Sequence, residues 1–344
     1  MGIVQVVVVT GGAGLLGTNL CLRLVKEGRY HVVCVDNFST SAKDNILQLR
    51  ELEKNPDNNF KMIVADIRNN LDTTFLRYQF WGSTPTITYK LLYIFHLACP
   101  ASPVHYQRTP YTTIMTCIQG TQTVLNWLET DPDARLILAS TSEIYGEPHE
   151  HPQREEYYGN VNTVGDRSCY DEGKRAMEAM ARSFIDQYGG WPDIGIVRIF
   201  NTYGPGNAVN DGRVVSNFIV NMLKGVPIEI YGDGSQTRCY CYVEDLIDGL
   251  IRMAEARKEF GPINLGNPVE MTVLELATTI KELIGTDDRQ DAMVIMRPSR
   301  QDDPTRRCPV IDRAIERLNW RPTTSLREGL SKTIEYFRTK FDST

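Results

Sequence analysis

The sequence lacks any apolar run approaching the roughly 20 residues that cross a bilayer. Val6 to Val9 are too few, and too soon followed by glycines, to serve as a secretory signal. Met1-Gly2 has Val6 where a myristoylation signal needs Ser or Thr, so no membrane attachment is expected. Cationic charge is also short. A formal net charge of -6 argues against a general polyanion binder, so no nucleic-acid partner is expected and any phosphate must be held by a local site. No CxxC pair occurs among the eight cysteines (Cys21, Cys34, Cys99, Cys117, Cys169, Cys239, Cys241, Cys308), which suits reduced thiols and a cytoplasmic setting, with neither disulfide nor zinc site. Glu147, His149 and His151 lie in a Pro-containing loop without a ligand frame, so no metal is expected there either. These absences leave a soluble globular chain of 344 residues, 42% hydrophobic, able to bury a sizeable core.

The N-terminal half alternates short β-branched runs with helical patterns. Val4 to Thr10, Val32 to Val35, Met62 to Val64, Tyr93 to Leu97, Leu136 to Ser140 and Ile194 to Ile199 read as buried strands. This alternation predicts the α/β class: a Rossmann-type, doubly wound parallel sheet with a smaller C-terminal substrate-binding lobe. Past about Asn201 the pattern loosens into Gly- and Pro-rich loops, with helices near Val215 to Lys224, Leu274 to Leu283 and Leu326 to Phe337. The expected division is residues 1–200 for the dinucleotide domain, with a return segment near 236–265, and residues 201–235 and 266–344 for the lobe. That lobe lies over the carboxyl edge of the sheet, where open α/β sheets bind ligands. Cys239 and Cys241 are expected to point to one face of a strand and Tyr240 to the other.

Gly11-Gly12-Ala13-Gly14-Leu15-Leu16-Gly17 follows the first strand and opens an amphipathic helix. Glycines there permit a tight turn, admit a pyrophosphate close to the backbone, and aim amides and the helix dipole at its charge. An ordinary Gly-rich loop is the alternative, and the strand before and helix after weigh against it. Asp36 ends the second strand 19 residues after Gly17, where a carboxylate can accept both adenosine ribose hydroxyls and repel a 2′-phosphate. NAD is therefore favoured over NADP. A turn aspartate aided by Asn37 is the plainer reading of that position. Asp66 is a weaker candidate for the adenine. The expected cofactor set is Gly11, Gly14, Leu15, Leu16, Gly17, Asp36, Asn37, Asp66, Ile67, Leu97, Ala98, Tyr170 and Lys174.

Tyr170 and Lys174 are four residues apart and share a helix face. Ser168 is the expected N-cap, and Met177, Met180, Ala181 and Phe184 continue the apolar face until Gly189-Gly190 stops the helix. A lysine beside a phenol, with a positive nicotinamide nearby, lowers the phenol's pKa from about 10 and lets Tyr170 act as a base. A chance YxxxK on a surface helix is the alternative; the preceding Ser140-Thr141-Ser142 strand end favours catalysis. His96 reads as a strand-end residue beside the cofactor.

These residues resemble the extended short-chain dehydrogenase/reductase superfamily and, within it, the UDP-glucuronic acid decarboxylases (UDP-xylose synthases), from about Val4 to Phe337. The specific stretches are His96 to Pro103, Ser140 to Gly146, Cys169 to Arg175, Arg198 to Pro205, Asp211 to Phe218, Tyr231 to Arg238 and Asp302-Asp303-Pro304. The resemblance implies a triad of Ser142, Tyr170 and Lys174, joined by Glu143 and Arg307 as the groups proper to decarboxylases. It places the substrate-binding set on Pro103, Asn201, Arg213, Val214, Tyr231, Gln236 and Arg238. Independently, Arg213 and Arg238 in Gly-rich loops suit phosphate recognition. Gly206 stands where the family usually has arginine, and the stretches 45–59 and 71–90, the latter with Tyr78, Phe80 and Trp81, are longer than the family's.

The resemblance implies NAD-dependent decarboxylation of UDP-glucuronate to UDP-xylose through a 4-keto intermediate, in a homodimer joined by helices flanking the sheet. A nucleotide-sugar 4,6-dehydratase is the nearest rival, but its elimination uses an Asp-Glu pair where this chain has Ser142-Glu143. A 4-epimerase shares the triad. A non-catalytic dinucleotide-binding protein is the more distant alternative, disfavoured by the intact triad.

Overall fold

The computed structural model describes residues 3–76, 89–285, 294–298 and 304–341. A seven-stranded sheet, parallel at every pairing, forms its centre. In chain order its first six strands are β1 (Val4–Thr10), β2 (His31–Asp36), β3 (Phe60–Val64), β4 (Tyr89–His96), β5 (Arg135–Thr141) and β6 (Asp193–Ile199). Their spatial order is β3-β2-β1-β4-β5-β6, and Ile263–Leu265 closes the far edge beside β6. The order reverses between β1 and β4, which opens a crevice at the carboxyl ends of these strands.

The valine run of β1 explains why it is central. Val7 and Val9 join one buried cluster while Val6 and Val8 join another, because alternate side chains leave opposite faces of a strand. A strand covered on both faces has no polar side to present, so it reads as a continuous apolar run. The same alternation recurs in β2, with Val32 and Cys34 on one face and Val33 and Val35 on the other.

Helix α1 (Leu15–Glu27) starts at Gly14 without a side-chain cap and stops at Gly28, whose φ of 68° returns its N–H to Val25. The helix that carries Tyr170 and Lys174 spans Ser168–Gln187, and Gly189 and Gly190, both at positive φ, follow it. Ser168 is its first helical residue rather than its cap. A turn from Gly165 to Ser168 brings Arg167 into near-helical dihedrals one residue early, so Arg167 takes the N-cap position.

Three helices of the C-terminal portion, Val214–Leu223, Val273–Ile284 and Leu326–Phe341, pack on one another. The sequence pattern passed over two further helices, Val243–Glu255 and Asp312–Leu318. A three-stranded sheet pairs Thr237–Cys239 with Glu270–Thr272 on one side and Arg306–Arg307 on the other. The strand expected to run through Cys239, Tyr240 and Cys241 is instead broken at Tyr240. Cys241 starts a separate strand paired with Thr202–Tyr203, and all three side chains are buried because the chain changes sheets there. Tyr78, Phe80, Trp81, Asp302 and Asp303 lie outside the described residues.

Candidate active site

A large cleft runs from the β1–α1 loop across the ends of β4, β5 and β6 to the C-terminal portion. Its walls include Gly11, Gly14, Leu15, Leu16, Gly17 and Leu97 at one end. Ser142, Glu143, Tyr170, Lys174 and Arg307 line its middle, and Pro103, Asn201, Arg213, Val214, Tyr231, Gln236 and Arg238 line the remainder. Asp36, Asn37, Asp66, Ile67 and Ala98 stand off this lining.

The glycine loop is shaped by contact as well as by turn geometry. Gly11 has φ +68°, and a Cβ on it would meet Ala98 backbone at 2.7 Å; one on Gly17 would collide with the Gly11 carbonyl. The first amides of α1 have no intrahelical acceptor and no side-chain cap, which leaves an anion-binding helix end at the cleft. These residues fit a dinucleotide pyrophosphate.

Asp36 serves this loop directly. Its Oδ2 accepts the Ala13 N–H at 2.9 Å, and its Oδ1 accepts the Phe38 N–H at 2.7 Å and the Ser41 hydroxyl at 3.1 Å. Burial raises its pKa against the pull of those donors. Asp66 is fixed by its neighbours: Arg68 holds both its oxygens and Asn37 donates to Oδ2 at 3.0 Å, which keeps the carboxyl at about 2. Ile67 is buried against Gly120, and Ala98 backs Gly11.

On the helix Ser168–Gln187, the Lys174 amine donates to the Ala139 carbonyl at 2.7 Å and stands 5.9 Å from the centre of the Tyr170 ring. Burial pushes the Tyr170 phenol well above its usual value; Thr141 and Arg213 pull it down, but less strongly. Behind the site, buried His96 shares a 2.8 Å hydrogen bond with Thr10, and burial followed by Lys174 holds its imidazole neutral at about 3.

Glu143 follows Ser142 in the short turn that ends β5. Burial pushes its carboxyl up, but Arg167, Arg307 and Arg238 together outweigh that and hold it at about 2. Arg307 is 1% exposed. Its guanidinium donates to the Ser142 carbonyl and, at 2.7 Å, to the Gly146 carbonyl, and lies 3.7 Å from Glu143. Strand pairing sets it opposite Arg238. Sequence reasoning missed Arg167, which ion-pairs with Glu143, and Tyr106, which stacks on Tyr170. Arg167 lies one helical turn before Tyr170, a spacing that could have flagged it; Tyr106 carries no such signal. Glu147, His149 and His151 face separate partners, Thr305, Asn160 and Glu270.

The geometry is that of a dinucleotide cleft ending in a Ser-Tyr-Lys constellation beside a buried charge cluster. Residues 7–266 match the NAD dependent epimerase/dehydratase family. The chain belongs to that family. NAD is accordingly its cofactor. UDP-glucuronic acid decarboxylase 1 of Arabidopsis thaliana is 44% identical over 97% of this chain and 70% of its own length. Decarboxylase 4 of the same plant is 45% identical over 96% and 68%. Among solved structures, Bacillus cereus UDP-glucuronic acid 4-epimerase, bound to UDP-glucuronic acid and NAD, superposes with a TM-score of 0.83. It is 26% identical, and the match covers 97% of this chain and 99% of the epimerase.

Proposed function

We propose that this enzyme decarboxylates UDP-glucuronate to UDP-xylose through a 4-keto sugar and regenerates its NAD in each cycle. The observation that carries this reading is the 44% identity to UDP-glucuronic acid decarboxylase 1 of Arabidopsis thaliana over 97% of the chain.

Gly11, Gly14, Leu15, Leu16 and Gly17 cradle the pyrophosphate, and Asp36 holds their loop and faces the ribose side. Asn37, Asp66, Ile67, Leu97 and Ala98 complete the cofactor's surroundings. When bound, NAD supplies the hydride acceptor for C4 of the sugar, the hydride that later returns, and positive charge beside the phenol. Tyr170 removes the proton of the 4-hydroxyl, helped by Lys174, while Ser142 hydrogen-bonds the same oxygen. The C4 ketone is β to the carboxylate, so it accepts the electron pair released with carbon dioxide. Protonation at C5 and reduction at C4 then yield the pentose. Arg213 and Arg238 face the diphosphate as forked donors. Asn201, Tyr231, Gln236, Pro103 and Val214 surround the nucleotide, and Arg307 and Glu143 attend the sugar carboxylate.

The division of labour follows the chain. Residues 1–200 with the return segment 236–265 hold the cofactor, and residues 201–235 and 266–344 form the nucleotide-sugar lobe. We infer a cytoplasmic homodimer joined through Pro110–Thr130 and Ser168–Gln187, adjacent helices on one face of the sheet. Partly exposed Met115, Ile118 and Met180 support that surface.

A second reading, 4-epimerisation of UDP-glucuronate, draws on the likeness to the Bacillus cereus epimerase. Incubation with UDP-glucuronate and mass spectrometry of the product separates the two. Loss of carbon dioxide with formation of UDP-pentose supports decarboxylation, whereas an isomer of unchanged mass supports epimerisation and overturns it.

A further inference from the structure

Arg167 joins two parts of the site that the chain order keeps apart. Its backbone carbonyl accepts the N–H of Tyr170 at 3.0 Å and of Asp171 at 3.1 Å, so it begins the helical turn that carries the phenol. Its guanidinium reaches the other way and donates to Oε2 of Glu143, next to Ser142 on the turn after β5. Arg167 and Glu143 both line the cleft, yet their side chains are only 13% and 18% exposed. A hydrogen-bonded ion pair so shielded from water is stronger and better oriented than a surface pair.

The groups facing Glu143 come from three elements: Arg167 and Asp171 from the catalytic helix, Arg307 from the Arg306–Arg307 strand, and Arg238 from Thr237–Cys239. Asp171 lies 3.9 Å from Arg167, and its Oδ1 is buried without a hydrogen-bond partner among the described residues. Burial and then Glu143 raise the Asp171 carboxyl to about 8, against Arg167 and Arg307, so this acid is mostly neutral at pH 7. Glu143 thus carries the negative charge of the pair, surrounded by guanidinium groups. The cluster keeps a positive excess, which suits an anionic sugar.

Arg307 cannot substitute for Arg167 in fixing Glu143. It stands farther off, at 3.7 Å, and is engaged by the carbonyls of Ser142 and Gly146. We propose that Arg167 is a positioning residue: it clamps Glu143 in its ionised form at a fixed place relative to Ser142 and Tyr170. The kinetic part of this proposal rests on the UDP-glucuronate reading above; the electrostatic part does not.

The test compares the NAD-loaded parent with Arg167→Met and Arg167→Lys. Turnover of UDP-glucuronate is followed across pH, and the Glu143 carboxyl is titrated by carbon-13 NMR in glutamate-labelled protein, its signal assigned through Glu143→Gln. In Arg167→Met, kcat should fall at least about tenfold, with KM changing less, as expected for lost transition-state positioning. The acid limb of kcat/KM and the Glu143 titration should both move up by about one pH unit or more, because a neighbouring cation has gone. Arg167→Lys keeps the charge and should restore most of the titration and part of the rate. If Arg167→Met binds NAD normally and leaves both the acid limb and the Glu143 titration at parental pH, the proposal is overturned whatever happens to the rate. If Arg167→Met does not fold, Arg167→Gln, polar and uncharged, takes its place: a Glu143 signal and acid limb at parental pH in that variant reject the clamp. A parent that releases no carbon dioxide rejects the decarboxylase reading, and the NMR titration still decides the clamp.

Discussion

Tyr106 lies flat against Tyr170, with ring centroids 5.2 Å apart and planes inclined by 7°. Tyr106 is 1% exposed and comes from the short helix Pro103–Arg108, so the stack joins the loop after β4 to the catalytic helix. Removing the Tyr106 ring leaves a cavity on one side of the phenol. Tyr106→Ala should cost about 3–5 kcal/mol of stability, the usual range for a large aromatic truncated in a core. It should also lower turnover because the base is no longer held. Thermal unfolding and turnover measured together check this; unchanged stability would mean that the stack contributes nothing.

Tyr170→Phe keeps the stack and deletes only the phenolic oxygen. Oxidation at C4 should nearly vanish while the unfolding temperature stays within a few degrees of the parent's. Reduced-nicotinamide absorbance on adding UDP-glucuronate is the measurement. A normally folded, active Tyr170→Phe enzyme would require another base.

Asp36→Ala should act in two ways. It removes a negative charge from the ribose side, so NAD affinity falls and the preference against NADP narrows. It also strips the Ala13 and Phe38 amides of their acceptor, and the buried Ala13 donor left unsatisfied costs about 1–3 kcal/mol. Calorimetric titration with NAD and NADP, alongside thermal unfolding, separates the effects. Lost stability with parental NAD affinity would assign the carboxylate to the loop alone.

The sheet was legible because its evidence is local. Val4 to Thr10 forms β1 with the bounds expected from its valines, and Gly189-Gly190 ends the catalytic helix as its left-handed preference requires. Gly11, Gly14, Gly17, Ser142, Tyr170 and Lys174 line one cleft because the glycine loop and the Ser142 turn follow strands of the central sheet and Tyr170 and Lys174 share one helix face, whereas Arg238 and Arg307 reach it from a separate small sheet. Contacts that depend on packing between distant segments were not legible. Nothing in the local sequence tells Arg307 that its acceptors are the Ser142 and Gly146 carbonyls, about 160 residues earlier in the chain. Ser168 was misplaced by one residue because its polar side chain suits a cap, whereas the preceding turn had already delivered Arg167 to that position. The paired cysteines are similar: Cys99 and Cys117 lie with sulfurs 3.3 Å apart, although their spacing follows no motif.

Asp171 provides a pH test. Burial and Glu143 raise its carboxyl from 3.8 to about 8, so the folded protein binds this proton more tightly than the unfolded chain does. Stability from this group is therefore fully present below the unfolded pKa and declines as pH rises towards 8. Asp171→Asn keeps the shape of the neutral acid and cannot ionise. The unfolding temperature of Asp171→Asn relative to the parent should rise between pH 5 and pH 8. A constant difference over that range would show that Asp171 does not titrate there. Glu143 has the opposite sign: its stabilisation is present above the usual carboxylate range and is lost as pH falls towards 2.

Arg307 and Arg306 are neighbours with opposite surroundings. Arg307 is buried in the charge cluster, and Arg306 on the same strand is exposed. Arg307→Met preserves bulk but removes five donors and the charge. Two consequences follow from the contacts. The Ser142 and Gly146 carbonyls lose their guanidinium, which loosens the turn bearing Ser142 and Glu143 and lowers the unfolding temperature. A sugar carboxylate in the cleft loses a cation, so UDP-glucuronate turnover should drop about a hundredfold or more if a transition-state contact of about 3 kcal/mol disappears. UDP carries no sugar carboxylate, and its affinity should change little. Arg306→Met should leave stability, UDP affinity and turnover close to parental. Measuring all three quantities for both variants distinguishes a scaffold from a substrate contact. Reduced stability with turnover within a few-fold of parental would confine Arg307 to holding the turn. A comparable loss of UDP affinity would mean that the whole cleft has shifted rather than its sugar end.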